Sequence, residues 1–160
     1  MDFFNAFRIA LFGHRDFGSH NDLEKKLFPL LREITSSQGY VEIYIGRNGE
    51  FDVFTATIIR RLKREPGEHN IDMTCILPYT VKDIEHYAKY YDDIIIPDTS
   101  IKTPLKYSII KRNKWMVEHA DLVICYVERS QGGAYEAMKY ANKINKRVIN
   151  LADIMGDVLR

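Results

Sequence analysis

A surplus of basic charge is the first thing this sequence lacks. Lys and Arg together number 23 against 22 Asp and Glu. Proteins that grip long nucleic acids draw most of that affinity from neutralised phosphates, so the balance counts against nucleic acid as a partner. A local basic pocket for one or two phosphates still fits the total. Cysteine is scarce too. Cys75 and Cys125 each sit in an aliphatic or β-branched run. That setting favours small buried hydrophobes over a disulfide framework or metal ligands. The five histidines show no metal-ligand spacing, and no Ser/His/Asp or Cys/His set is visible. Neither a metal nor a cofactor is expected. No run approaches the roughly 18 apolar residues that cross a bilayer. The opening Met-Asp-Phe-Phe-Asn-Ala-Phe-Arg has an early acid and no long apolar stretch, and does not read as a secretory signal. The expectation is a cytoplasmic protein with no membrane partner.

What is present is an alternation. Apolar residues make up 46% of the 160 and charged residues 28%, which suits one globular domain over residues 1–160. Strand-length apolar runs fall at 7–12, 41–45, 71–77, 94–96, 121–127 and 147–151. Helical periodicity separates them at 19–37, from the loop 46–52 to about Arg64, at 81–91, at 104–119, and from Gly132-Gly133 to near Asn145. Ser19 or Asn21 is placed to cap the first helix, and Pro104 to open the fourth. No repeat or interdomain linker interrupts the pattern. Near-continuous apolar strands joined by helices predict an α/β, Rossmann-like domain, with a mainly parallel sheet of about six strands and helices on both faces. In such sheets ligands bind outside the carboxyl ends of the strands. The loops after strands one, two, three and five all emerge there, and they are the richest in Gly, His, Arg, Asn and Glu.

Three of those loops carry candidate chemistry. Gly13-His14-Arg15 pairs a turn-forming glycine with a guanidinium fork suited to phosphate or carboxylate, and His14 can donate to a ligand hydroxyl. The plainer alternative pairs Arg15 with Asp16 and has His14 brace the turn. In Gly46-Arg47-Asn48-Gly49-Glu50-Phe51-Asp52, two glycines ahead of a helix can present backbone N–H groups to an anion. Asp52 there is either a ribose acceptor or the helix N-cap. The spacing is neither a Walker loop nor Gly-x-Gly-x-x-Gly, which argues against a Mg-dependent triphosphatase. In Ser130-Gln131-Gly132-Gly133-Ala134-Tyr135-Glu136, paired glycines at a helix start admit a phosphate to the backbone. Glu136 one turn in serves the helix dipole, or ribose binding, or catalysis. Arg112-Asn113 reaches toward the strand edge or is solvated. Tyr87, Tyr90, Tyr91, Tyr107, Tyr126, Tyr135 and Tyr140 offer faces for stacking on a base, although core or rim packing is the simpler role for most.

Taken in order, Gly13-His14-Arg15, Gly46-x-x-Gly49-x-Phe51-Asp52 and Arg112-Asn113-Lys114-Trp115-Met116-Val117-x-x-Ala120-Asp121 resemble the SLOG superfamily. It groups DprA/Smf proteins with LOG-type cytokinin-activating phosphoribohydrolases. The Gly-His-Arg form looks like its small bacterial and phage-borne branch. In LOG enzymes an Arg-Lys-x-x-Met helix precedes a Pro-Gly-Gly-x-Gly-Thr-x-x-Glu loop. Arg112, Met116, Asp121, Gly132 and Glu136 fit that pattern here. Gly133 replaces the threonine, and Glu128-Arg129-Ser130 stands in place of Pro-Gly-Gly, so the phosphate cradle is altered.

The resemblance implies a homodimer and a nucleotide-derived ligand. The expected function is sensing or sequestration of a nucleotide or nucleotide-related small molecule at the C-terminal edge of the sheet. Gly13, His14, Arg15, Gly46, Arg47, Asn48, Gly49, Asp52, Gly132 and Gly133 are the expected ligand contacts. The alternative is a LOG-like phosphoribohydrolase that cleaves an N-glycosidic bond, with Arg112 and Glu136 as its catalytic pair. DprA-like binding of single-stranded DNA ranks last because the charge is balanced.

Overall fold

Side chains alternate across a strand, so a run that is apolar at every position buries both of its faces. The computed structural model, which describes residues 5–47, 49–67 and 70–155, pairs six strands, of which Leu122–Tyr126 is apolar throughout while the others carry polar residues such as Arg8, Glu42 and Asp72. In chain order the elements are β1 (Phe7–Gly13), α1 (His20–Ser37), β2 (Val41–Ile45), α2 (Glu50–Lys63), β3 (Ile71–Ile76), α3 (Ile84–Tyr87), β4 (Asp93–Ile95), α4 (Asp98–Ile101), α5 (Leu105–His119), β5 (Leu122–Tyr126), α6 (Gly133–Lys143) and β6 (Arg147–Asn150). Every strand pairing is parallel, in the order β4-β3-β2-β1-β5-β6. Ile9 at the centre lies beside Ile43 on one side and Leu122 on the other.

The two faces have separate cores. Ile9, Leu11 and Ile43 pack with Leu23, Leu27 and Leu31 of α1 and with Ile58, Ile59 and Leu62 of α2. Ala10, Phe12, Val123 and Cys125 meet Met116 and Val117 of α5 and Ala134, Ala137 and Ala141 of α6. Small alanines on α6 let that helix lie close to the strands. The expected α/β Rossmann-like sandwich is what forms, with a sheet that is parallel throughout. Cys75 and Cys125 are both buried, and burial pushes both thiols up to about 12. Among the described residues no helix is long and apolar enough to cross a membrane.

Three local expectations change. The helix read over 81–91 shrinks to the single turn α3, which buries none of its residues. Val81, Ile84, Tyr87 and Tyr91 recur at helical spacing, but they are only half-buried, so little packing holds a longer helix in place. The turn α4 has no counterpart in the sequence reading. It is held by local polar contacts, with the buried Ser100 hydroxyl donating to the Pro97 carbonyl. Ser19 occupies the N-cap position of α1, yet its side chain makes no capping bond. Its hydroxyl donates instead to Glu128 beyond β5 at 2.9 Å.

The strand order fixes where a ligand can sit. From β1 the chain proceeds to β2, β3 and β4 on one side, while β5 and β6 lie on the other. Loops leaving β1 and β5 therefore part in opposite directions and open a crevice between them.

Candidate functional site

That crevice is a cleft of about 520 Å³, within the range of small-ligand sites. Gly13, His14 and Arg15 after β1, Gly46 and Asp52 around the start of α2, Arg112 and Asn113 of α5, and Gly132 and Gly133 at the start of α6 all line it. Most of the expected ligand contacts are thus brought together. Arg47 and Gly49 do not line this cleft, and Asn48 lies outside the described residues.

His14 is buried, and burial, aided by the charge of Arg129, holds its pKa below the ordinary histidine value. The ring is therefore neutral at pH 7. Its Nε2 accepts the Glu128 backbone N–H at 3.3 Å. The proton accordingly belongs on Nδ1, which lies 3.9 Å from where a Cβ on Gly132 would stand. His14 braces the turn after β5 and presents a donor toward the glycine-rich wall. Both roles weighed for it are compatible.

Arg15 is exposed at the mouth, and its pairing with Asp16 does not form. Asp16 is instead bound by the fork of Arg129, at 2.7 and 3.2 Å. This strap joins the loops after β1 and β5 and leaves the Arg15 guanidinium without an ion pair among the described residues. Arg129, Gln131 and Asn113 also line the cleft. The sequence reading names none of these as ligand contacts: it has Asn113 reach the strand edge or lie in solvent, and Arg129 and Gln131 are isolated polar residues ahead of a glycine pair, with no distinguishing spacing.

On the floor, Arg112 is buried at 8% exposure, with its Nη1 donating to the Ile76 carbonyl and its Nε to Asn113 Oδ1, both at 2.9 Å. Asp52 sits opposite across Gly46. A Cβ on that glycine would stand 2.8 Å from Asp52 Oδ2 and 3.2 Å from Arg112 Nη1. The two side chains do not close to an ion pair. Burial drives the Asp52 carboxyl up to about 7, against the opposing pull of Arg112 and Arg15. Burial also lowers the Arg112 pKa, with Asp52 working against it. A guanidinium nevertheless stays protonated at any physiological pH. The floor is therefore electropositive, with a carboxyl that shifts readily between neutral and charged.

The helix starts differ. Gly132, at φ +98°, is the N-cap residue of α6. Only glycine reaches that conformation without strain, and the first N–H groups of α6 have no acceptor within the helix. Gly132, Gly133 and Ala134 line the cleft, which puts those donors at its wall. Gly49, at φ +104°, is the N-cap residue of α2, but the Glu50 N–H is already given to the Arg15 carbonyl at 2.8 Å. The α2 start is thus partly spent on holding Arg15. Asp52 lies inside α2 and does not cap it. Arg47 turns away, with its Nη1 donating to the Tyr87 hydroxyl at 2.9 Å and its guanidinium over that ring. Arg112 lines the cleft and Glu136 the groove that continues from it, so the two line different stretches of this edge.

No protein-family model and no curated sequence matches the chain. Solved structures do. DNA processing protein A (DprA) from Streptococcus pneumoniae superposes with a TM-score of 0.64 at 15% identity, over 89% of this chain and 49% of that one. DNA processing protein A from Helicobacter pylori, in a structure concerned with its single-stranded DNA binding mode, gives 0.59 at 16% identity, over 89% and 63%. The chain thus spans about half of the first protein and under two thirds of the second. At these identities the likeness is one of fold. It nevertheless overturns the expectation that nucleic acid is a poor candidate partner. That expectation rested on a charge total, and a total is blind to where on a surface the charges lie.

Proposed function

We propose that the cleft at the β1/β5 crevice binds the sugar-phosphate of a nucleotide, and that the nucleotide belongs to a single strand of DNA. The observation that carries this is the convergence of His14 Nδ1, Arg15, Arg112 and the glycine-opened start of α6 on one cavity. These donors suit a phosphate. Asp52, held near neutrality, gives or accepts a proton beside an anion instead of simply repelling it. The choice of a strand over a free nucleotide follows from the fold shared with DprA, one of whose members binds single-stranded DNA. Kinship with SLOG domains, read from the loop motifs, belongs to the same proposal. Glycosidic cleavage does not, because Glu136 opens on the neighbouring groove.

Fluorescence anisotropy with a labelled oligodeoxythymidylate, competed by free mononucleotides, tests the reading. Arg15→Ala should weaken both ligands by about tenfold or more, the worth of a charge-assisted contact. Unchanged affinity, or no binding of either ligand by the intact chain, would remove the cleft as the site.

A further inference from the structure

A second depression, of about 630 Å³, runs between α5 and α6. It shares Ile109, Asn113, Gly132 and Gly133 with the cleft, so the two are continuous. Ile109 and Ile110 line it at 38% and 51% exposure, and the half-buried ring of Tyr140 forms part of its wall. Three lysines, Lys114, Lys139 and Lys143, stand along it against one acid, Glu136. Lys114 lies over the Tyr140 ring at 5.2 Å. Lys143 also suits the negative end of the α6 dipole. Neither Lys114 nor Lys139 has that reason to be where it is.

We infer that this α5–α6 groove carries the strand onward from the cleft and takes the nucleotides next to the one whose phosphate the cleft holds. The inference rests on the nucleotide reading of the cleft. Charge complementarity selects the occupant. A groove with three cations, one anion and an apolar-aromatic floor offers phosphate partners at its edges and stacking surface beneath, the combination that holds single strands without regard to sequence. Lys139 and Lys143 are one helical step of four residues apart, about 6 Å along the axis. That rise is close to the separation of successive phosphates in a stretched strand. A second copy of this chain would bury the isoleucines but would place three like charges against whatever faces them.

The test compares the intact chain, Arg15→Ala, and the double substitution Lys139→Glu with Lys143→Glu on oligodeoxythymidylates of increasing length and on the free mononucleotide. For the intact chain, affinity should rise with length over the first few nucleotides and then level off. The double variant should keep mononucleotide affinity, lose about tenfold or more of the length-dependent gain, and flatten its salt slope by about 1.4. Since both lysines are exposed, circular dichroism should show an unchanged fold. An unchanged length increment would overturn the inference. So would a double variant that alters only self-association in sedimentation, which would assign the groove to a second copy. Mononucleotide affinity judges the cleft and the length increment judges the groove, so either can fail without the other.

Discussion

Asp52 shows how burial can set the chemistry of a residue more strongly than its charged neighbours do. Two arginines pull its carboxyl down, burial pushes it up, and the outcome is a pKa of about 7. In the unfolded chain the same group titrates near 4. Between those values the folded state binds more protons than the unfolded one, so stability falls as pH rises through the window. The effect is fully present above about pH 7 and amounts to at most about 4 kcal/mol. Asp52→Asn removes the titrating group. Urea titrations should show the variant gaining on the wild type from about pH 4 to pH 7 and running parallel above. Parallel curves throughout would mean that the carboxyl is not held up by the fold. An anionic ligand in the cleft should raise the group further. Binding near neutral pH should then take up protons, seen as a buffer-dependent heat in calorimetry.

At the scale of elements, the contacts of Ser19 lead to an expectation opposite to its position. A serine at an N-cap is ordinarily worth about 1 kcal/mol. Here the hydroxyl is given to Glu128 and no capping bond forms. Ser19→Ala should cost less than about 0.5 kcal/mol in urea unfolding, as expected for an exposed polar contact. A loss of 1 kcal/mol or more would restore the capping role. The same contrast marks what could be read from the sequence. The strands, the long helices and the glycine-rich turns at the ends of β1, β2 and β5 were legible, because apolar period and turn chemistry are local signals. Gly13, His14, Arg15, Gly46, Asp52, Gly132 and Gly133 followed directly from them. Where a side chain turns was not legible. Arg47 is drawn off by Tyr87, 40 residues away, and Arg129 is drawn to Asp16, 113 residues away. The turn α4 escaped because so short a segment has no periodicity to detect, whereas 81–91 shrank to α3 because its helical period is not matched by buried packing.

Over the whole molecule, the net charge of +1 gave a sound number and an unsound exclusion. On α5 and α6 the exposed charges are Lys106, Lys111, Lys114, Lys139 and Lys143, against Glu118 and Glu136, so this side of the sheet is basic while the sum over the chain is near zero. A segregated charge of this size binds few phosphates and casts little long-range field. Each phosphate neutralised on a single strand contributes about −0.7 to the slope of log affinity against log salt. One phosphate in the cleft and two or three along the groove predict a slope of roughly −2 to −3 between about 50 and 200 mM salt. Anisotropy titrations across that range measure it. A slope near zero would mean that no phosphate is neutralised, and the donors of the cleft would then have to serve an uncharged ligand. A slope steeper than about −5 would require cations well beyond the cleft and the three groove lysines, and the strand would have to cross a wider part of the α5–α6 face.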